Sequence, residues 1–147
     1  STPDLVDAVR TMLLPLTTIL TPNIFEAHQL APGSDTATAA AMGMLEADGP
    51  EFILLTGTHG KTSDVQHALY SGHRELKRFH YDRLPHKYHG SGCTLAASLA
   101  AFLALGQDAV SASHSALDYT WQTLSKATRL GMGQHHPDRF YWMLENN

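Results

Sequence analysis

The chain has 147 residues, is 43% hydrophobic and carries a formal net charge of −4. That size suits one domain, and the acidic balance argues against binding nucleic acid through a basic face. No apolar run reaches the roughly 18 residues that a membrane-spanning helix needs, and the single cysteine, Cys93, cannot form an internal disulfide, as fits a cytoplasmic protein.

The chain opens Ser1-Thr2-Pro3-Asp4, through ordinary processing or as the cut edge of something longer. Thr2-Pro3-Asp4 predicts a helix start: a capping hydroxyl, proline at the first helical position and an acid in the first turn. Leu5, Val9, Met12 and Leu13 follow at helical spacing up to Pro15. Leu16 to Leu20 predicts a strand, stopped by Thr21-Pro22-Asn23. A brief helix is expected from Asn23 to Leu30. A second, over Asp35 to Asp48, sets Ala37, Ala41, Met44 and Leu45 on one face and closes at Gly49.

Glu51 to Thr56 is a continuous apolar run, as expected of a strand buried on both faces. Residues 64–70 and 74–82 predict two strands turning at Ser71-Gly72-His73, polar enough to lie near an edge. Ser91 to Leu105 predicts a buried helix ended by Gly106. Asp108 then caps a last helix, with Val110, His114, Leu117, Trp121, Leu124 and Thr128 in register and a stop at Gly131. Strand and helix alternate, so the class is α/β with a mostly parallel sheet.

His89-Gly90-Ser91-Gly92-Cys93-Thr94 is the stretch richest in chemistry. Two glycines flank a serine just before a small-residue helix. Backbone N–H groups there can converge where the helix dipole is positive, which suits phosphate, with the only thiol alongside. A plain connection into a helix is the alternative. Asn23 and Glu26, three apart after a strand, either organise Mg²⁺ through its waters or form a helix cap with its partner. Thr56-Gly57-Thr58-His59-Gly60-Lys61-Thr62 ends like a phosphate-binding P-loop, but Leu55 stands where the first glycine is required. A strand-end loop is the better reading, with Gly57 allowing close approach to a nucleotide. The adjacent His135 and His136 cannot easily share one ion and lack metal-site spacing. His114 lies on a helical stripe that should pack.

Thr21-Pro22-Asn23-Ile24-Phe25-Glu26-Ala27, Leu54-Leu55-Thr56-Gly57-Thr58-His59 and His89-Gly90-Ser91-Gly92-Cys93-Thr94-Leu95, in that order, resemble hydroxymethylpyrimidine/phosphomethylpyrimidine kinase. That is the thiamine-synthesis kinase of the ribokinase-like superfamily. Gly131-Met132-Gly133-Gln134-His135-His136-Pro137 looks like the family's closing loop. Cys93 stands where sugar kinases of the superfamily usually carry Asp, and Thr56 where many family members carry lysine.

The resemblance covers the whole chain but only the later part of the family's length. It implies a ribokinase-like three-layer α/β fold whose N-terminal portion is absent, with residues 1–147 as one nucleotide-binding and catalytic domain. It also implies ATP- and Mg²⁺-dependent phosphorylation of hydroxymethylpyrimidine and then of its monophosphate. On that reading Gly90, Ser91, Gly92 and Cys93 are catalytic, with Cys93 taking the acceptor proton. Asn23, Thr56, Gly57, His114 and Leu117 bind the nucleotide, and Glu26 and Asn23 serve the metal. An ATP-binding module without transfer activity, and a pyridoxal kinase, are the alternatives. The expected partners are a small-molecule substrate and either a second copy or the missing N-terminal part, and neither nucleic acid nor a membrane.

Overall fold

The computed structural model describes residues 3–46, 48–57 and 63–143. Its packing divides into two units, Ser1–His80 and Tyr81–Asn147. In the first unit α1 (Pro3–Ala8) continues into a π-helical turn, Val9–Leu13, and a 3₁₀ turn, Leu14–Leu16, around Pro15. The expected cap at Thr2 lies outside the described residues. The expected strand over 16–20 shrinks to β1 (Ile19–Leu20). Thr17 explains the loss: its N–H donates to the Leu14 carbonyl at 3.1 Å and its hydroxyl to that of Leu13 at 2.7 Å. Residue 17 therefore still belongs to the helical path.

Two helices follow, α2 (Ile24–Leu30) and α3 (Ala37–Glu46). The second is shorter than the expected 35–48, because the Thr36 hydroxyl accepts from the Ala39 N–H at 3.0 Å and so sets the start. Next come β2 (Phe52–Gly57), β3 (Asp64–Ser71) and β4 (Arg74–Asp82), the last two turning at Gly72 with φ of 58°. The sheet runs β1-β2-β3-β4. Ile19 pairs Phe52 in parallel, while Ile53 pairs Tyr70 and Gly57 pairs Gln66 in antiparallel register, so the sheet is mixed. Ile53, Leu55, Ala68 and Tyr70 pack with Ala27 of α2 and Ala40, Ala41 and Met44 of α3 in one apolar cluster. The expected α3 face is therefore the core face. The alternating neighbours Leu54 and Leu69 are also fully buried, which is why β2 reads as an unbroken apolar run.

The second unit holds α4 (Ser91–Ala104) and α5 (Ala109–Ser125), packed on each other. Asp108 caps α5, accepting from the Ser111 N–H at 2.9 Å. α5 ends at Ser125 rather than Gly131, because Thr128–Arg129 (β5) pairs antiparallel with His135–His136 (β6). Its buried side is Ala112, Ser113, Ala116, Leu117, Thr120 and Thr123, small residues except for Leu117. Val110 and His114, expected on the packing stripe, are exposed, since small residues let α5 approach α4 along a different line. The α/β class stands.

Candidate active site

At the carboxyl ends of β1 and β2, the first unit brings Asn23, Glu26, Thr56 and Gly57 together. Asn23 bridges to Thr56 in parallel register, and the Thr56 N–H donates to the Pro22 carbonyl at 2.8 Å. Asn23 caps α2. Its Oδ1 accepts from the Glu26 N–H and Glu26 Oε2 accepts from the Asn23 N–H, both at 2.9 Å. The two residues thus form a reciprocal capping box, which satisfies two donors that a helix start leaves open. Oε1 of the exposed Glu26 makes no hydrogen bond among the described residues. Thr56 is buried and its hydroxyl donates to the Pro22 carbonyl at 3.3 Å.

Gly57 serves strand packing. A Cβ there would stand 2.0 Å from the Gln66 carbonyl oxygen, so the close approach it permits is to β3. Opposite Thr56 in the register is His67, buried to 9% exposure. Burial disfavours the charged ring and pushes its pKa down to about 4. Thr58, His59, Gly60, Lys61 and Thr62, which carry the P-loop-like ending, lie outside the described residues.

The second unit carries the glycine turn. Gly90 caps α4 in the left-handed conformation, with φ of 84°. Having no side chain, it gives the first-turn N–H groups of a 14-residue helix no side-chain cap. Those donors, at the positive end of the helix, are what an anion requires. Thr94 fixes the turn: its N–H and its hydroxyl both donate to the Gly90 carbonyl, at 3.0 and 2.8 Å. Cys93 is a free, exposed thiol on the first turn, beside the exposed Gly92 and the half-buried Ser91. His114 is exposed and lies 3.4 Å from Asp118, while Leu117 is buried.

Sequence reasoning missed the strap behind this turn. His89 donates its N–H to the His135 carbonyl, and His135 donates to Lys87, both at 3.0 Å. The His86 and His135 rings stack with centroids 4.0 Å apart. Arg139 Nε donates to the Thr94 hydroxyl at 3.1 Å. No local signal marks Arg139, since the relation spans 45 residues.

The solved pyridoxal kinase of Bacillus subtilis, in an ADP complex, superposes with a TM-score of 0.88 at 28% identity, over 98% of this chain and 58% of that one. The fold is that of the ribokinase-like small-molecule kinases. Among curated proteins, the chain is 35% identical to hydroxymethylpyrimidine/phosphomethylpyrimidine kinase of Synechococcus elongatus, over 92% of its own length and 53% of that protein's. It is 33% identical to pyridoxine kinase of Bacillus subtilis, over 80% and 45%. Residues 1–138 match the family model for phosphomethylpyrimidine kinase, and the chain belongs to that family. It spans about half the length of the curated relatives it matches.

Proposed function

We propose that this chain is the nucleotide-binding and phosphoryl-transfer part of an ATP-dependent kinase for hydroxymethylpyrimidine and its monophosphate. The observation that carries the reading is the left-handed Gly90 turn, which leaves the α4 N-terminus without a side-chain cap beside an exposed cysteine. In the transfer, the acceptor oxygen bonds to the terminal phosphorus, the bond to the bridging oxygen breaks and ADP departs. Cys93 takes the acceptor's hydroxyl proton on Sγ, while the N–H groups of Ser91, Gly92 and Cys93 stabilise charge on the moving phosphoryl group. Thr56, Gly57, His114 and Leu117 are assigned to the nucleotide. Leu117 is buried, and the Thr56 hydroxyl is engaged by the Pro22 carbonyl.

The donor set suits a hydrated Mg²⁺ better than a caged one. Among the described residues no three His, Cys, Asp or Glu side chains cluster, and Glu26 offers one carboxylate oxygen outside the capping box. Mg²⁺ keeps much of its water and takes its remaining charge from substrate phosphates. When bound, it would neutralise phosphate charge, with Glu26 and Asn23 orienting its waters. We assign residues 1–147 to one domain and the protein to the cytoplasm.

The pyridoxine kinase relative and the pyridoxal kinase structure favour a second reading, in which the acceptor is a pyridoxal-type alcohol. A substrate panel separates them. Joined to the N-terminal part of the Synechococcus relative, the chain should release ADP with hydroxymethylpyrimidine. Release with pyridoxal alone selects the second reading. Saturable ATP binding with no product from either acceptor makes the chain a binding module.

A further inference from the structure

We infer that Arg139 is a phosphate-binding residue of the Gly90–Cys93 turn, an assignment that rests on the nucleotide reading above. Arg139 Nη2 comes within 3.1 Å of where a Gly90 Cβ would stand, and its Nε already donates to Thr94 at 3.1 Å. The guanidinium is therefore fixed at the N-terminal end of α4, the positive end of that helix dipole. A cation placed there is unfavourable by itself. Among the described residues no carboxylate lies within ion-pair distance of Arg139 to offset the cost. Asp138, its neighbour in sequence, turns Oδ1 to the Phe140 N–H at 3.0 Å.

The position is also held from behind. The Asp138 N–H donates to the Thr123 carbonyl at 2.9 Å, and the Tyr119 hydroxyl donates to the Arg139 carbonyl at 2.8 Å. Two anchors on α5 thus present an exposed, charged fork to open helix N–H groups. The group that reconciles this cation with that helix end is an anion with several acceptor oxygens. A terminal phosphate fits, because a guanidinium can meet two of its oxygens at once while the turn's N–H groups meet a third. Nε is spent on Thr94, so the Nη donors face the ligand.

The test is ATP and AMP binding by calorimetry to this 147-residue chain, comparing wild type with Arg139→Gln and Arg139→Lys at several salt concentrations. Arg139→Gln should weaken ATP binding by about tenfold or more, the effect of losing a hydrogen bond to a charged group. It should leave AMP affinity unchanged and flatten the salt dependence of ATP binding. Arg139→Lys should recover part of the loss. Unchanged ATP affinity in Arg139→Gln overturns the inference. So does an equal fall for ATP and AMP accompanied by a lower melting temperature, which would make Arg139 only a strut for the turn. Wild type that binds neither nucleotide overturns the underlying reading, and the inference with it.

Discussion

Gly57 and Gly90 are glycines for different reasons, and substitution separates them. At Gly57 an added methyl meets backbone, the Gln66 carbonyl oxygen at 2.0 Å, which cannot swing aside. Gly57→Ala should cost about 1–3 kcal/mol, the range for overpacking, read as a lower urea midpoint. At Gly90 the penalty is conformational, since φ of 84° is a region that L side chains rarely adopt. The cap at Asn23 gives a second contrast. Asn23→Ala should cost about 0.5–2 kcal/mol by leaving a helix donor open. Glu26→Gln keeps the box, because an amide oxygen still accepts from the Asn23 N–H, so the melting temperature should hold. If Glu26 also orients the waters of Mg²⁺, the Mg²⁺ needed for half-maximal ATP binding rises in the same variant. An unchanged magnesium titration leaves Glu26 as a cap alone. This box was legible in the sequence because its partners lie three residues apart. Arg139 was not, because only the fold brings it to Thr94.

Elements whose signal is local came through, and those fixed by distant partners did not. The hairpin β3–β4 and the buried run of β2 follow from turn chemistry and apolar content. Thr128 continues the helical register of α5, yet it lies in β5, since β6 offers it a partner, His136, eight residues on. The same dependence on context sets the behaviour of His67 in β3. Unfolded, this imidazole titrates near the ordinary value of 6.5; folded, burial holds it neutral down to about 4. Between those values the unfolded chain binds more protons, so stability falls as the pH drops through that window and levels off below it. The loss from this one group is about 3 kcal/mol at most. His67→Gln should flatten the slope of urea midpoint against pH between 6.5 and 4. A slope unchanged by the substitution would assign the acid sensitivity to other groups.

For the whole molecule, the apolar surface is as informative as the core. Leu5, Met12, Leu13, Leu16 and Phe25 are exposed in the first unit, and among the described residues β1 pairs with β2 on one side only. An open strand edge and exposed large apolar side chains are each features that proteins ordinarily cover. We expect this chain to self-associate at micromolar concentration, read by sedimentation; a monodisperse monomer would show that the surface tolerates water. Acceptor positioning is a separate matter. Holding the acceptor oxygen in line can be worth about 7–11 kcal/mol of barrier, and the chain spans about half the length of the kinases it matches. ADP release by the chain alone should therefore not rise on adding hydroxymethylpyrimidine. Stimulated turnover near the roughly 1 per second typical of kinases would place an acceptor pocket within these residues.

The strap across the Gly90 turn also has a history in time. Thr94 leaves the ribosome well before Arg139, 45 residues later. At about 5–20 residues per second, the turn waits about 2–9 s for its anchor. α4 and α5 can coil and pair in that interval, since each carries its own local hydrogen bonds. The turn cannot be braced until β6 docks beside Tyr88 and His89. A protease that nicks the exposed segment Leu130–Gln134 would leave the helices intact while severing the covalent link from α5 to that brace.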